Sequence, residues 1–250
     1  MAADAPPLDP TEVRFLPSDF EKYAERVQRD PEYNDARLGV RRKLDAIGKH
    51  LVKKLKGKDL ELVSRASLHH PYRFNGFRVS SQSVYLSRGE KERKAIVRHL
   101  GVDLGKDLDQ NYTHTILAME ITEAGLVIAL RIHQGAWWDG ENLKRSLKSQ
   151  ERREQLAAAL DPLGEYGLRI GDNRRVRQCS GITERDLSEA MGYYTPGDQW
   201  LHVERHIERD DPFVTEEEGF LEAVEEQFQL LLSPYQLMRW SKKNDHLFGG

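Results

Sequence analysis

At 250 residues, with 38% hydrophobic and 32% charged residues, the chain has room for a sizeable core beneath a highly charged surface. Its net charge of −3 gives no reason to expect a globally basic nucleic-acid binder, and its single cysteine, Cys179, excludes a disulfide framework and a thiolate metal cluster. No run approaches the roughly 20 apolar residues of a membrane helix, and residues 1–10 lack the basic and apolar regions of a signal peptide, so a cytoplasmic protein with no membrane partner is expected.

Residues 1–12, rich in Ala, Pro and Asp, read as a flexible lead-in, and residues 13–250 as one domain. Ser18 or Asp19 caps a helix that carries Phe20, Tyr23 and Val27 on one face. After Pro31 a longer helix is predicted over residues 32–55, with Val40, Leu44, Ile47, Leu51 and Leu55 at the spacing of a buried stripe. Arg42, Lys49, Lys53 and Lys56 gather on the opposite, solvated face, and Gly57 stops the helix.

The most unusual polar stretch is 68–88. Pro71 and the pair Asn75 and Gly76 punctuate it, with short strands expected at 77–79 and 83–86. Here Tyr72, Phe74, Phe77 and Tyr85 interleave with His69, His70, Arg73, Arg78 and Arg88. Aromatic faces beside cationic donors suit nucleobases with phosphates, or any planar anion; they also occur in ordinary strands whose arginines snorkel. Residues 91–100 form a basic helix, and 101–111 a polar connection.

Residues 112–138 hold the longest apolar run and read as a β-hairpin turning at Glu123, Ala124 and Gly125, with Gly125 left-handed. If Thr122 stands opposite Leu126, then Ile116, Ala118, Ile128, Leu130 and Ile132 share one face. Leu117, Met119, Ile121, Val127 and Ala129 share the other. With both faces apolar, the hairpin belongs mid-sheet with cover on both sides. Trp137 and Trp138 anchor the next helix, 141–160, which buries Leu143, Leu147 and Leu156 and ends at Asp161 and Pro162.

A second hairpin over 168–177 carries Arg169, Arg174, Arg175 and Arg177, and Thr183 caps a helix to Met191. Residues 200–207 alternate as a strand, with Leu201, Val203 and Ile207 on one side and His202, Glu204 and His206 on the other. An acidic helix opens at Thr215, buries Phe220, Leu221, Val224, Phe228, Leu231 and Leu232, and breaks at Ser233 and Pro234 before a last amphipathic turn, 235–240. Charge is polarised: residues 37–65 hold ten Lys or Arg against three acids, and residues 204–226 ten acids against two arginines. Such segments either neutralise each other on packing or make a bipolar surface.

His202, Glu204 and His206 form the sharpest metal-like pattern, since period two puts all three on one strand face. Three successive positions splay, so a zinc or iron ion more easily takes two of them plus His114 or His133. The alternative is a solvated face with His–Glu pairing. No HExxH, GxSxG, P-loop, GxGxxG or C-x-x-C occurs. Cys179 follows basic residues that could activate its thiol.

The order of elements, from N-terminal helices through the Arg/Phe-rich segment, the hairpin around 118–126 and a second basic segment to a C-terminal helix, resembles an uncharacterised family of bacterial hypothetical proteins. That family carries the signature R-x-x-R-D-x-R-F-x-x-x-[DN]-K-x-x-Y. Arg73 and Phe74 match its R-F, but His70 and Pro71 stand where R-D belongs, and Arg78 and Val79 replace [DN]-K. The resemblance implies a fold and no activity.

The expected fold is α+β, a mainly antiparallel sheet around 112–133 flanked by N-terminal, middle and C-terminal helices. The leading functional expectation is binding of an anionic ligand, nucleic acid or phosphorylated small molecule, by His69, His70, Arg73, Arg78, Tyr85, Arg131, His133, Arg174, Arg175 and Arg177. An enzyme, with a divalent metal at His202, Glu204 and His206 as its one candidate cofactor, is the alternative. A third reading is an interaction subunit that offers its acidic C-terminal helix to a protein partner or a second copy.

Overall fold

The computed structural model describes residues 8–55, 60–100, 113–216 and 218–248. Among them lie the strands β1 (Leu62–Ala66), β2 (Ser81–Arg88), β3 (Thr115–Thr122), β4 (Gly125–Ile132), β5 (Gly167–Ile170), β6 (Arg177–Gln178) and β7 (Leu201–Glu208). They form one antiparallel sheet in the order β1-β2-β3-β4-β7-β5-β6. The helices are α1 (Pro17–Phe20), α2 (Asn34–Lys54), α3 (Glu90–Leu100), α4 (Trp137–Ser146), α5 (Gln150–Leu160), α6 (Glu184–Tyr193), α7 (Pro212–Thr215) and α8 (Phe220–Met238). The fold is α+β, as the pattern of elements predicts. No helix among the described residues is long and apolar enough to cross a membrane.

The central hairpin sits mid-sheet, but its register is one residue away from the expected one. Ile121, not Thr122, stands opposite Leu126. Glu123 and Ala124 alone make the turn, and Gly125 already belongs to β4, opposite Glu208. The glycine is needed for close approach: a Cβ there would sit 2.0 Å from the Ile207 carbonyl oxygen. A one-residue slip exchanges faces. Leu117, Met119 and Ile121 therefore join Leu126, Ile128, Leu130 and Ile132 on one face, and all are buried.

That face carries the helices. α2 packs on β1 and β2, and α8 on β3 and β4. The approach of α2 is close, since a Cβ on Gly48 would lie 2.5 Å from Val84. Val40, Leu44, Ile47, Leu51 and Leu55 are buried as their spacing requires, while Arg42, Lys49 and Lys53 are exposed. Lys56 and Gly57 lie outside the described residues. Arg37 is fully buried and donates to the carbonyls of Lys22, Val27 and Asp30, which fastens the N-terminal turns to α2. His50 and Lys54 of α2 meet Glu225 of α8, so part of the charge polarity is neutralised by packing.

Other expectations are corrected. The second face of the hairpin is less apolar than expected, because the register gives it Glu120 and Arg131 beside Ile116, Ala118, Val127 and Ala129, although those four are buried. No strand forms at 77–79: Arg73–Asn75 is a 3-10 turn, and Gly76 and Phe77 follow with φ of 61° and 56°. The helix expected over 141–160 is two helices, the second capped by the Ser149 hydroxyl. Pro234 does not break the last helix, because packing of Leu231, Tyr235 and Met238 on the core holds α8 across it. The acidic residues from Thr215 onward precede that helix instead of opening it. The polar connection 101–111 falls outside the described residues.

Candidate anion-binding face

Strand registers place side chains in rows across the face opposite the helices. One row runs Arg65, Tyr85, Ala118, Ala129, Glu204 and Gly167. Beside it run Ile116, Arg131, His202 and Arg169, and on the other side Ser83, Glu120, Val127 and His206. Two alanines and a glycine make a low floor in the middle row, and larger polar side chains rise around it.

Toward β1 and β2 the face opens into a cavity of about 950 Å³ lined by Arg41, Arg65, Arg78 and Arg131 together with Tyr72, Phe74, Tyr85 and Trp200. Among the described residues no Asp or Glu lines it. The 69–78 loop forms one wall. His70 packs edge-on against His69 (4.9 Å) and Tyr72 (6.2 Å), and the Arg73 guanidinium lies 4.7 Å from the centre of the Phe74 ring. Phe74 and Phe77 are 67% and 62% exposed, so the loop presents bare aromatic surface. Phe77 holds a left-handed backbone that a bulky residue rarely adopts, a conformation found where function or packing over-determines it. His69 lies 3.5 Å from Arg41, and burial with His70 and Arg41 holds its pKa below the ordinary value.

Toward β7 and β5 a second cavity, about 500 Å³, shares Arg131 and Trp200 with the first. The Glu204 carboxylate, 7% exposed, lines it. Arg169 donates to Oε1 at 2.9 Å and Arg131 to Oε2 at 3.3 Å, while Arg131 also donates to Glu120 at 2.8 Å. His202 Nδ1 stands 3.4 Å from Oε2, an ion-pair distance without an aligned hydrogen bond, and His206 Nε2 stands 3.3 Å from Oε1. Burial would raise the Glu204 pKa, but His202, His206 and Arg169 together hold it far below the carboxylate range. Glu204 in turn raises His206. Burial opposes the charge of Arg131, yet Glu120 and Glu204 lift its pKa. Trp200 stacks on His202 (5.6 Å) and meets His133 edge-on (4.1 Å); burial pushes His133 down to about 4.

The sequence-predicted site thus divides. His70, Arg78, Tyr85 and Arg131 line the first cavity; His69, Arg73 and His133 stand beside its lining residues. Arg174, Arg175 and Arg177 do not join them, since three strands separate β2 from the β5–β6 edge. Arg177 pairs with Leu168, which turns it to the helix-covered side, and Arg175 forms an ion pair with Glu189 of α6 at 2.5 Å. His202, Glu204 and His206 do share one face, but two guanidinium groups hold the Glu204 oxygens that a cation would need. No group of three or more metal-binding side chains occurs among the described residues. Arg41, Arg65 and Trp200 are not among the site residues the sequence predicts, because only the register and the approach of α2 carry them here; Arg169, read within the second basic hairpin, lines the second cavity. Cys179 is buried, which pushes its thiol up to about 12 and leaves it unactivated at neutral pH.

No known family model matches this chain, and no curated protein is similar to it.

Proposed function

We propose that the protein binds an anionic ligand, nucleic acid or a phosphorylated small molecule, on the Arg/aromatic face of its sheet. The observation that carries this reading is the meeting of Arg41, Arg65 and Arg78 with Tyr72, Phe74, Tyr85 and Trp200 in one cavity whose described lining has no carboxylate, with Arg131, itself held by Glu120 and Glu204, beside them. Guanidinium groups take phosphate oxygens in forked hydrogen bonds, and aromatic rings stack on bases. A single-stranded nucleic acid uses both kinds of group over the whole face; a phosphorylated metabolite uses the arginines and one ring. The lone thiol of Cys179 fits a reducing, cytoplasmic setting.

A titration of short fluorescent RNA and DNA single strands, duplexes and a nucleotide panel, at low and raised salt, tests this. Contact with about three phosphates of a single strand gives a log–log salt slope of about −2. Absence of binding at low salt to every member of the panel overturns the reading.

A further inference from the structure

We propose that Glu204 and His206 form an acid–base dyad that cleaves a ribonucleotide strand bound on this face, with the ribose 2′-hydroxyl as nucleophile. This rests on the binding reading above and adds a reaction to it. Glu204 is almost fully buried and is held from several sides by Arg131, Arg169 and His202, whereas the His206 side chain is 67% exposed at the rim of the second cavity. A fixed, ionised carboxylate next to an exposed imidazole is the arrangement that sets a tautomer: Nε2 stands 3.3 Å from Glu204 Oε1, which favours the proton on Nε2 and leaves the Nδ1 lone pair for a proton from outside.

The neighbouring surface supplies the rest. Tyr85 and Glu204 stand three strand steps apart in one row, about 14 Å. A strand whose base and phosphate occupy the arginine cavity therefore reaches His206 with its next nucleotides, which a single nucleotide does not. A 2′-hydroxyl lies beside its own phosphorus, so a single base that removes its proton starts an intramolecular displacement. His206 Nδ1 takes the 2′-hydroxyl proton, the O2′–P bond forms, and the P–O5′ bond breaks. The departing O5′ takes a proton from solvent, and His206 returns its own to solvent. The products are a 2′,3′-cyclic phosphate and a 5′-hydroxyl. The groups that face His206 are Glu204 and His202 on its own strand, Glu120 on β3, Arg131 on β4 and Arg169 on β5. The carboxylate of Glu204 raises its pKa from 6.5, so cleavage rises with pH through a value above 6.5 and then levels.

The test uses the full chain with an end-labelled single-stranded RNA, the same sequence as DNA, and the same RNA with every 2′-hydroxyl methylated. Binding is read by anisotropy and cleavage by gel and mass spectrometry. All three strands are expected to bind, the RNA alone being cut, to a 2′,3′-cyclic phosphate end. His206→Gln, at an exposed position, is expected to keep binding within about twofold and to lose at least about 100-fold in cleavage rate. RNA that binds but stays intact overturns the dyad and leaves the binding reading standing; RNA that does not bind overturns both. Cleavage that persists in His206→Gln, or that cuts the methylated strand, also overturns the dyad.

Discussion

Arg131 reaches diagonally from β4 to Glu204 on β7, Nη2 to Oε2 at 3.3 Å, while its other terminal nitrogen holds Glu120 of β3 at 2.8 Å. One guanidinium thus ties three adjacent strands on the face that carries the candidate site. Arg131→Ala leaves two carboxylates facing each other without that cation, both largely buried. The expected loss of stability is about 1–3 kcal/mol, between the values for exposed and fully buried pairs. Urea unfolding measures it, and a loss below about 0.5 kcal/mol shows that the two acids do not depend on Arg131.

A second ion pair is deeper. Arg88 and Asp139 have no exposed side-chain surface, and Arg88 Nη2 donates to both Asp139 oxygens at 2.6 Å. Asp139 also accepts from the Thr115 amide and hydroxyl and from the Trp240 amide, so β2, β3, α4 and the segment after α8 converge on it. Arg88→Met strands a buried carboxylate and is expected to cost about 3–5 kcal/mol. The double variant Arg88→Met/Asp139→Leu is expected to recover part of that loss. Equal stability of the single variant and the wild type refutes this account of the pair.

The hairpin interior gives a third expectation. Ile128 and Leu130 are fully buried on the helix-covered face. Ile128→Ala and Leu130→Ala are each expected to destabilise by about 2–5 kcal/mol. Less than about 1 kcal/mol for both removes β4 from the centre of the core.

Acid sensitivity follows from His133, Glu204 and His206. Burial lowers His133 from 6.5 to about 4, so its neutral form belongs to the fold. Its contribution is complete above about pH 6.5 and is lost as pH falls toward 4. Glu204, held far below 4.5, adds stability that is present above about pH 4.5 and lost on further acidification. His206, raised above 6.5, works the other way: its contribution is full below that value and fades as pH rises through its folded pKa. His133→Asn is therefore expected to narrow the stability difference between pH 7 and pH 5. An unchanged difference shows that His133 does not set it.

Much of the fold is legible in the sequence, because α2, β7 and the hairpin announce themselves by period. The stripe from Val40 to Leu55 and the alternation of Leu201, Val203 and Ile207 are buried as read. The hairpin register is not legible, since Ile and Leu occur at both parities, and the close approach of Gly125 to Ile207 of β7 is a long-range contact. Strand β1 escapes for a similar reason: Ser64 and Arg65 interrupt its apolar pattern. Half of the candidate site is visible as the aromatic and basic run from His69 to Tyr85. The second basic run looks like its continuation in composition, but strand order is a long-range property, and it sends Arg175 to the opposite edge.

The most direct test of the central claim compares Arg65→Ala and Arg78→Ala with Arg175→Ala in binding a short single-stranded RNA at low salt, by fluorescence anisotropy. Arg65 and Arg78 line the cavity, whereas Arg175 pairs with Glu189 at the far edge of the sheet. Loss of each cavity arginine is expected to weaken binding by about 1–3 kcal/mol, and loss of Arg175 to change it by less than about 0.5 kcal/mol. Equal weakening in all three variants, or none in Arg65→Ala and Arg78→Ala, contradicts a specific site on this face.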